Sequence, residues 1–446
     1  MTSTLNIWID DVLAGYLHHD SQNNQFAFEY AAEWLENHQA FPVSPAIPIP
    51  SKTMNGPIQS AERHSAIVKQ FFENLLPEGD ALDVAAQANR VSKSNLVGLM
   101  LALGRETAGA IRVSKSADNP LLSGSDVENS FREITQEELS ERIQARQRIP
   151  FSQWDGKVRL SIAGYQDKIA IYKKNDKWFL VEGARIASTY IVKPLPQREQ
   201  LATLPANEFF CMKLAHAVGV NVAQVDLQFV PEPVLFVKRF DRAESEEGVQ
   251  RLHVIDGCQA LGLSVSMKYE RPYGDSRDVK DIRDGTSYPK LFALINQCAK
   301  PARDRLQLIR WVLFQVLIGN HDAHGKNISF FLNQEGLSIA PAYDLVCIPA
   351  LGDGELSPHF GMAVGDAFTE AEINTEEWLA FAHDCKLKPK MLARELNSMS
   401  QKIADALPSI SDICHEKNIS CSTTENLVSI ISAICDRQRA IAKEIL

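Results

Sequence analysis

The chain has 446 residues, of which 45% are hydrophobic and 23% charged, the composition of an ordinary soluble globular protein. That length exceeds what a single core usually supports, so two or three packed units are expected. A formal charge of −10 argues against wholesale electrostatic capture of nucleic acid, leaving room only for a local basic patch, and the lack of any long apolar run or basic-then-apolar leader predicts neither membrane insertion nor secretion.

In chain order, residues 1–115 read as a small α/β domain. Leu5-Asn6-Ile7-Trp8-Ile9 alternates as a strand does and Asp10-Asp11 suits the turn after it, while helical patterns follow at Ala31–Asn37 and around Ala66–Leu76. Residues 116–150 read as a linker, rich at first in Ser, Asn, Pro and Gly, and a connecting helix. A β-rich lobe is expected over 151–245. It has a hairpin in Lys168–Val181 around Asn175-Asp176, a strand Thr189–Lys193 stopped by Pro194, and strands Val225–Val230 and Val234–Phe240. Between them Asn207 is placed to cap a helix carrying Phe210, Leu214 and Val218 on one face and closed by Gly219, and Arg242–Gln250 reads as a polar loop. Residues 246–446 are mainly helical, with amphipathic helices over Arg303–Ile318 and Asn426–Leu446. The eight cysteines are scattered, without a C-x-x-C pair, and read as reduced, mostly buried small hydrophobes of a cytosolic protein. The fold class expected is α+β: a two-lobed protein-kinase-like fold, small β-rich lobe then larger helical lobe, behind a small N-terminal α/β domain.

The most informative stretch is Gly319-Asn320-His321-Asp322-Ala323-His324-Gly325-Lys326-Asn327, followed beyond a short hairpin pattern by Tyr343-Asp344. An Asp, an Asn five positions on and a second Asp past a hairpin is the order a kinase-type site needs. The first Asp accepts or orients the proton of an attacking hydroxyl, and the Asn and second Asp hold Mg²⁺ against nucleotide phosphates. Two duller readings compete: a polar helix-to-strand loop with turn chemistry, and a hydrolytic metal held by His321, Asp322 and His324, which no second ligand cluster supports. Lys193 at a strand end and Glu208 on the following helix match the strand-lysine and helix-glutamate pair that grips phosphates in kinases. Ser161-Ile162-Ala163-Gly164-Tyr165-Gln166-Asp167-Lys168 opens the first hairpin of the β-rich lobe, where small residues let backbone N–H groups approach phosphate. Val237-Lys238-Arg239-Phe240-Asp241 closes the last strand of that lobe, where adenine would meet the backbone.

R-L-S-I-A-G-Y-Q-D-K (159–168), I-V-K-P (191–194), N-E-F-F (207–210), V-K-R-F-D-R (237–242), G-N-H-D-A-H-G-K-N (319–327), P-A-Y-D (341–344) and, near the start, N-L-L-P-E-G-D (74–80) together resemble the HipA family of serine/threonine kinase toxins. The resemblance spans nearly the whole chain. It implies an ATP- and Mg²⁺-dependent protein kinase acting as the toxin of a type II toxin–antitoxin pair. Asp322 would be the catalytic base, Asn327 and Asp344 the metal ligands, and Lys193 and Glu208 the phosphate-gripping pair. Ala163, Gly164, Tyr165, Gln166, Asp167 and Lys168 would form the nucleotide loop, and Lys238, Arg239 and Phe240 would meet adenine. His324, Lys326 and Tyr343 would line the nucleotide site, and Ser161 falls where family members phosphorylate themselves. Lys238 replaces an acidic residue of the family pattern at a contact made by backbone. The implied partners are a helix-turn-helix antitoxin (HipB-like) and, through it, operator DNA, with no membrane; the family precedent for a target is an aminoacyl-tRNA synthetase. Two other classes stay open: a corepressor that holds the antitoxin on DNA with little transfer, and a small-molecule kinase with the same Asp-to-Asn spacing.

Overall fold

The first alternating segment folds as its pattern requires. Strand Thr2–Ile9 pairs antiparallel with Val12–Asp20 across a turn at Asp10, whose φ of 53° is one that aspartate tolerates. Gln25–Tyr30 joins on one side and Ile111–Ser114 on the other, making a four-stranded sheet. Helix Ala61–Glu73, capped by Ser60, packs on the Gln25–Tyr30 strand and buries Ile67, Val68, Phe71 and Phe72. Each of these side chains contributes about 1.5–3 kcal/mol by leaving water.

This computed structural model describes residues 2–50, 60–104, 106–115, 129–159, 166–183, 186–246, 248–352 and 356–446. The chain divides into two compact units: Met1–Lys193 with Lys238–Val265 and Phe330–Leu337, and Pro194–Val237 with Ser266–Ser329 and Ser338–Leu446. In the first unit, strands Ile169–Lys174 and Lys177–Glu182 form the expected hairpin. Asn175 and Asp176 both have positive φ (50° and 59°), the signature of a type I′ turn whose twist matches that of the strands. Tyr190–Pro194 pairs with the first of these strands, and Ser130–Ile134 with the second. In the second unit, helix Pro301–Leu317 is buried almost all round from Leu308 onward, so it is a central helix and not the one-striped surface helix its leucine spacing suggested. Helices Pro389–Glu416 and Cys421–Ile445 pack on it and on each other, and helix Leu204–Ala217 packs on both of them. Among the described residues no helix is long and apolar enough to cross a membrane. All eight cysteines are free, and only Cys421 is exposed.

The α+β class is borne out, and several local expectations are corrected. Ser130–Ile134, inside the span read as linker and connecting helix, is a sheet strand. Arg242–Gln250 is not a polar loop but a hairpin, Arg242–Ser245 with Gly248–Arg251, and both of its arginines are buried. Asn207 is no cap: the helix starts earlier, at Leu204, which leaves Asn207 and Glu208 buried inside it. The C-terminal helix begins at Cys421, before Asn426.

Candidate active site

In the second unit the Asp322 loop is set by the way helix Pro301–Leu317 ends. The Gly319 N–H bonds Val316 O (3.1 Å) and the Asn320 N–H bonds Gln315 O (2.8 Å), a Schellman turn that satisfies the last carbonyls of the helix. Gly319 has φ 66°, and a Cβ there would lie 3.1 Å from Pro349 Cδ and 3.2 Å from Ile434 Cδ1, so only glycine fits without strain. The chain leaves this turn directly into His321-Asp322.

Side-chain amides then fasten the backbone on either side. Asn327 Nδ2 donates to Asp322 O (3.0 Å), and Asn320 Nδ2 donates to both Gln315 Oε1 (2.8 Å) and Asp344 O (3.1 Å). Asp344 adopts φ 53°, a conformation an ordinary side chain holds only where its surroundings impose it. The surroundings do so on both flanks. Ala342 N–H bonds Asn221 O (2.8 Å), while Asn207 grips Cys347 twice, donating from Nδ2 to its O and accepting its N–H at Oδ1, both at 2.8 Å. The amide that reads as a helix cap in the sequence thus orients the segment that carries Asp344.

The functional groups sit on this frame. Asp322 is exposed, and its Oδ1 accepts a hydrogen bond from the Tyr269 hydroxyl at 2.6 Å. His324 is buried; burial and the Lys268 and Lys326 ammonium groups hold its pKa well below the ordinary value, so it is neutral. Its Nδ1 accepts the Lys326 N–H at 3.2 Å. The Tyr343 hydroxyl donates to Lys326 O (2.6 Å) and pairs with Ser329 Oγ (2.7 Å), so it acts on the loop backbone. With Asn327 Nδ2 committed to Asp322 O, the group Asn327 offers a ligand is its carbonyl oxygen. That oxygen and the Asp344 carboxylate are hard donors, and two protein oxygens suffice for Mg²⁺ when phosphates and water complete its shell. Among the described residues no three His, Cys, Asp or Glu side chains are grouped to hold a metal, so the His321–Asp322–His324 alternative gains no support. Glu208 lies in this unit too, buried on helix Leu204–Ala217.

The first unit gathers the other candidates. The register Val192↔Ile169 brings Lys193 and Lys168 to the same end of one strand pair, where both are only 5% exposed. Gln166 and Asp167 precede them, and Gln166 Nε2 is buried without a hydrogen-bond partner, a donor placed to meet something polar. Ser161, Ala163, Gly164 and Tyr165 lie outside the described residues. Lys238 sits 4.0 Å from Glu244, and the Phe240 ring meets Phe331 edge-on at 5.9 Å.

Arg239 departs from the simple expectation. Its N–H bonds Thr189 O (2.9 Å) and its guanidinium is buried in an ionic hub, a role that the V-K-R-F-D-R motif did not signal. Arg239 holds Asp241 through Nε (3.0 Å) and a terminal nitrogen (2.8 Å), and also reaches Ser188 Oγ (2.9 Å) and Glu106 Oε1 (3.3 Å). Arg242 bonds Asp241 Oδ2 (2.8 Å) and Thr107 O (2.9 Å), and Arg251 bonds Glu106 Oε2 (2.8 Å). Although burial alone would raise both carboxyls, the arginines overcome it. Glu106 is lowered to about 2 and Asp241 far below the usual carboxylate range. What the Lys238–Phe240 segment has left for a ligand is therefore backbone and the flanking side chains, not the Arg239 head. The hub escaped sequence reading because Glu106 lies more than a hundred residues before the arginines it meets; Tyr269 and Asn207 escaped because their partners, Asp322 and Cys347, are also far along the chain.

Two family models match the chain: the HipA N-terminal domain over residues 5–114 and the HipA-like C-terminal domain over residues 160–407. The chain belongs to the HipA family. It is 38% identical, over 92% of its length and 89% of the relative's, to the serine/threonine-protein kinase toxin HipA of Shewanella oneidensis. The solved complex of Shewanella oneidensis MR-1 HipA with HipB and its operator DNA contains a chain that superposes with a TM-score of 0.85 at 34% identity, covering 99% of both chains. As a HipA-family member the protein is a serine/threonine-protein kinase, as the motifs led one to expect.

Proposed function

We propose that the protein transfers the γ-phosphate of ATP to a serine or threonine hydroxyl, as the toxin of a toxin–antitoxin pair. The observation that carries this reading is the amide-fastened loop that brings Asp322, Asn327 and Asp344 together in one unit. Asp322 takes the proton of the attacking hydroxyl as its oxygen bonds the γ-phosphorus and the β–γ bridging oxygen leaves with ADP. Asn327 and Asp344 would hold Mg²⁺, which when bound would neutralise charge on the phosphates. Lys193, with Glu208, and Lys168 bind phosphate, Gln166 and Asp167 border the nucleotide loop, and the Lys238–Phe240 backbone receives adenine. His324, Lys326 and Tyr343 shape the loop more than they touch the nucleotide. Likeness to a HipA solved with HipB and operator DNA supports a HipB-like antitoxin as partner and DNA reached through it. A cytoplasmic setting, a translation-related target of the aminoacyl-tRNA synthetase kind and self-phosphorylation at Ser161 complete the reading.

The test is intact-mass spectrometry of the full chain incubated with ATP, with and without Mg²⁺, followed by phosphopeptide mapping. One added phosphate on the Ser161 peptide, appearing only with Mg²⁺, is the expected result. No phosphate on the chain or on any offered protein would overturn the kinase assignment, whereas a phosphate at another position would remove only the role of Ser161. Asp344→Ala should abolish Mg²⁺-dependent nucleotide binding, and unchanged affinity by calorimetry would remove its role as ligand.

A further inference from the structure

Tyr269 lies in the polar segment between Val265 and Ser287, outside every motif that marked the site, yet its hydroxyl donates to Asp322 Oδ1 at 2.6 Å. This contact is built from several directions. The Tyr269 ring meets His324 edge-on, with centroids 4.9 Å apart and planes at 82°. On one side of it, Lys268 O accepts the Gly325 N–H at 2.8 Å; on the other, the Glu270 N–H bonds Gly361 O at 2.8 Å. The Glu270 carboxylate is itself clamped, accepting from Arg283 Nε at 2.6 Å and from the Ala363 N–H at 2.8 Å. Two glycines clear the space. A Cβ at Gly361 would lie 2.5 Å from Ala323 O and 3.1 Å from Tyr269 Cδ1, and one at Gly285 would lie 1.7 Å from Tyr269 O. The segment therefore closes on the Asp322 loop along its backbone and delivers one hydroxyl to one carboxylate oxygen.

We propose that Tyr269 is a positioning residue for the base, an inference that rests on the assignment of that role to Asp322. Asn327 holds the main chain of Asp322, but a carboxylate still turns about χ2, a torsion with broad wells. A donor fixed on Oδ1 sets the carboxylate plane and directs the second oxygen at the hydroxyl that loses its proton. The proton passes from the substrate hydroxyl to Asp322; Tyr269 keeps its own. Geometry held in this way is what turns a nearby base into an aligned one.

The experiment compares four full-length proteins: wild type, Tyr269→Phe, Asp322→Asn and the double variant. The measured quantity is the initial rate of phosphate incorporation from Mg-ATP into the chain itself, with the apparent KM for ATP. Phenylalanine keeps the ring against His324, so the unfolding midpoint should be unchanged and only the donor is lost. Tyr269→Phe should lower the maximal rate about tenfold at constant KM for ATP, a modest share of what a positioned base contributes. In the Asp322→Asn background it should lower the residual rate no further, because a residue acting through Asp322 has nothing left to act on. A wild-type rate in Tyr269→Phe would overturn the inference, as would an equal loss in both backgrounds. A faster Tyr269→Phe would overturn it too and would make the tyrosine a cover over the carboxylate. If Asp322→Asn is impaired and Tyr269→Phe is not, only the positioning role falls; if Asp322→Asn transfers normally, the base assignment falls and takes this inference with it.

Discussion

Two polar clusters in this chain are built from overlapping residue types and end in opposite conditions. In the first unit Asp241 and Glu106 are saturated by guanidinium groups: Asp241 accepts from Arg239, Arg242 and the Gly109 N–H, and Glu106 from Arg239, Arg251 and Ser188. In the second unit the fastening is done by side-chain amides on main-chain groups, Asn327 on Asp322 O, Asn320 on Asp344 O and Asn207 on Cys347. A carboxylate whose lone pairs are taken by arginines has been committed to structure, and its depressed pKa makes it a poor proton acceptor. An aspartate held through its backbone has its main chain fixed by amides, and Asp322 Oδ1 meets a tyrosine hydroxyl. Placement and charge, not residue type, separate the aspartate that welds from the aspartate proposed as the base.

The largest effect should come from breaking the working side. Asp322→Asn should cut phosphoryl transfer about 10²–10⁴-fold while nucleotide affinity and the unfolding midpoint stay near wild type. Rapid-quench assays beside nucleotide titration would check this, and wild-type turnover would dissolve the contrast. On the welding side the loss should appear as stability. Asp241→Asn leaves the buried Arg239 and Arg242 to share Glu106, at 3.3 and 3.7 Å, and should destabilise the first unit by about 3 kcal/mol, the low end for breaking a buried ion pair. Denaturant titration reads this directly, and a loss below about 1 kcal/mol would mean that the hub contributes little beyond a surface ion pair.

The comparison sharpens with pH. His253, in the first unit, is fully buried; its Nε2 donates to Val43 O at 2.9 Å, and burial lowers its pKa from 6.5 to about 4. The folded form resists the proton that the unfolded chain binds, so the stabilisation is complete above pH 6.5 and is lost as pH falls toward 4. Its magnitude is roughly 2–4 kcal/mol. His253→Gln should flatten that part of the stability–pH curve; an unchanged slope would assign the acid sensitivity to other groups. The smallest effect should be that of Asn207→Ala. Losing both bonds to Cys347 should cost about 2 kcal/mol and weaken Mg-nucleotide binding, because the Asp344 segment loses its anchor. Calorimetry showing full affinity would separate Asn207 from the site.

By itself the sequence determined whatever depends on neighbours along the chain. The Thr2–Ile9 strand and its turn, the Asn175-Asp176 hairpin, Gly319 as a helix stop and the Asp322-to-Asn327 spacing are set by side-chain periodicity, by φ preference and by the reach of a single loop. Tertiary structure decided what each polar residue is paired with, and there local reading failed in a consistent way. Arg242–Gln250 is as hydrophilic as any loop and reads as one, but Arg242 and Arg251 are buried because Asp241 and Glu106 meet them in the fold. Asn207 has the chemistry of a cap and spends it on Cys347. Tyr269 sits in a charged stretch with no periodic signal and reaches Asp322 only because Gly361 and Gly285 let backbones close in. Hydrophobic pattern and turn chemistry are local and additive enough to be read along a string. The cost of burying a charge, and therefore its role, is set by partners that only folding brings within 3 Å or so of it.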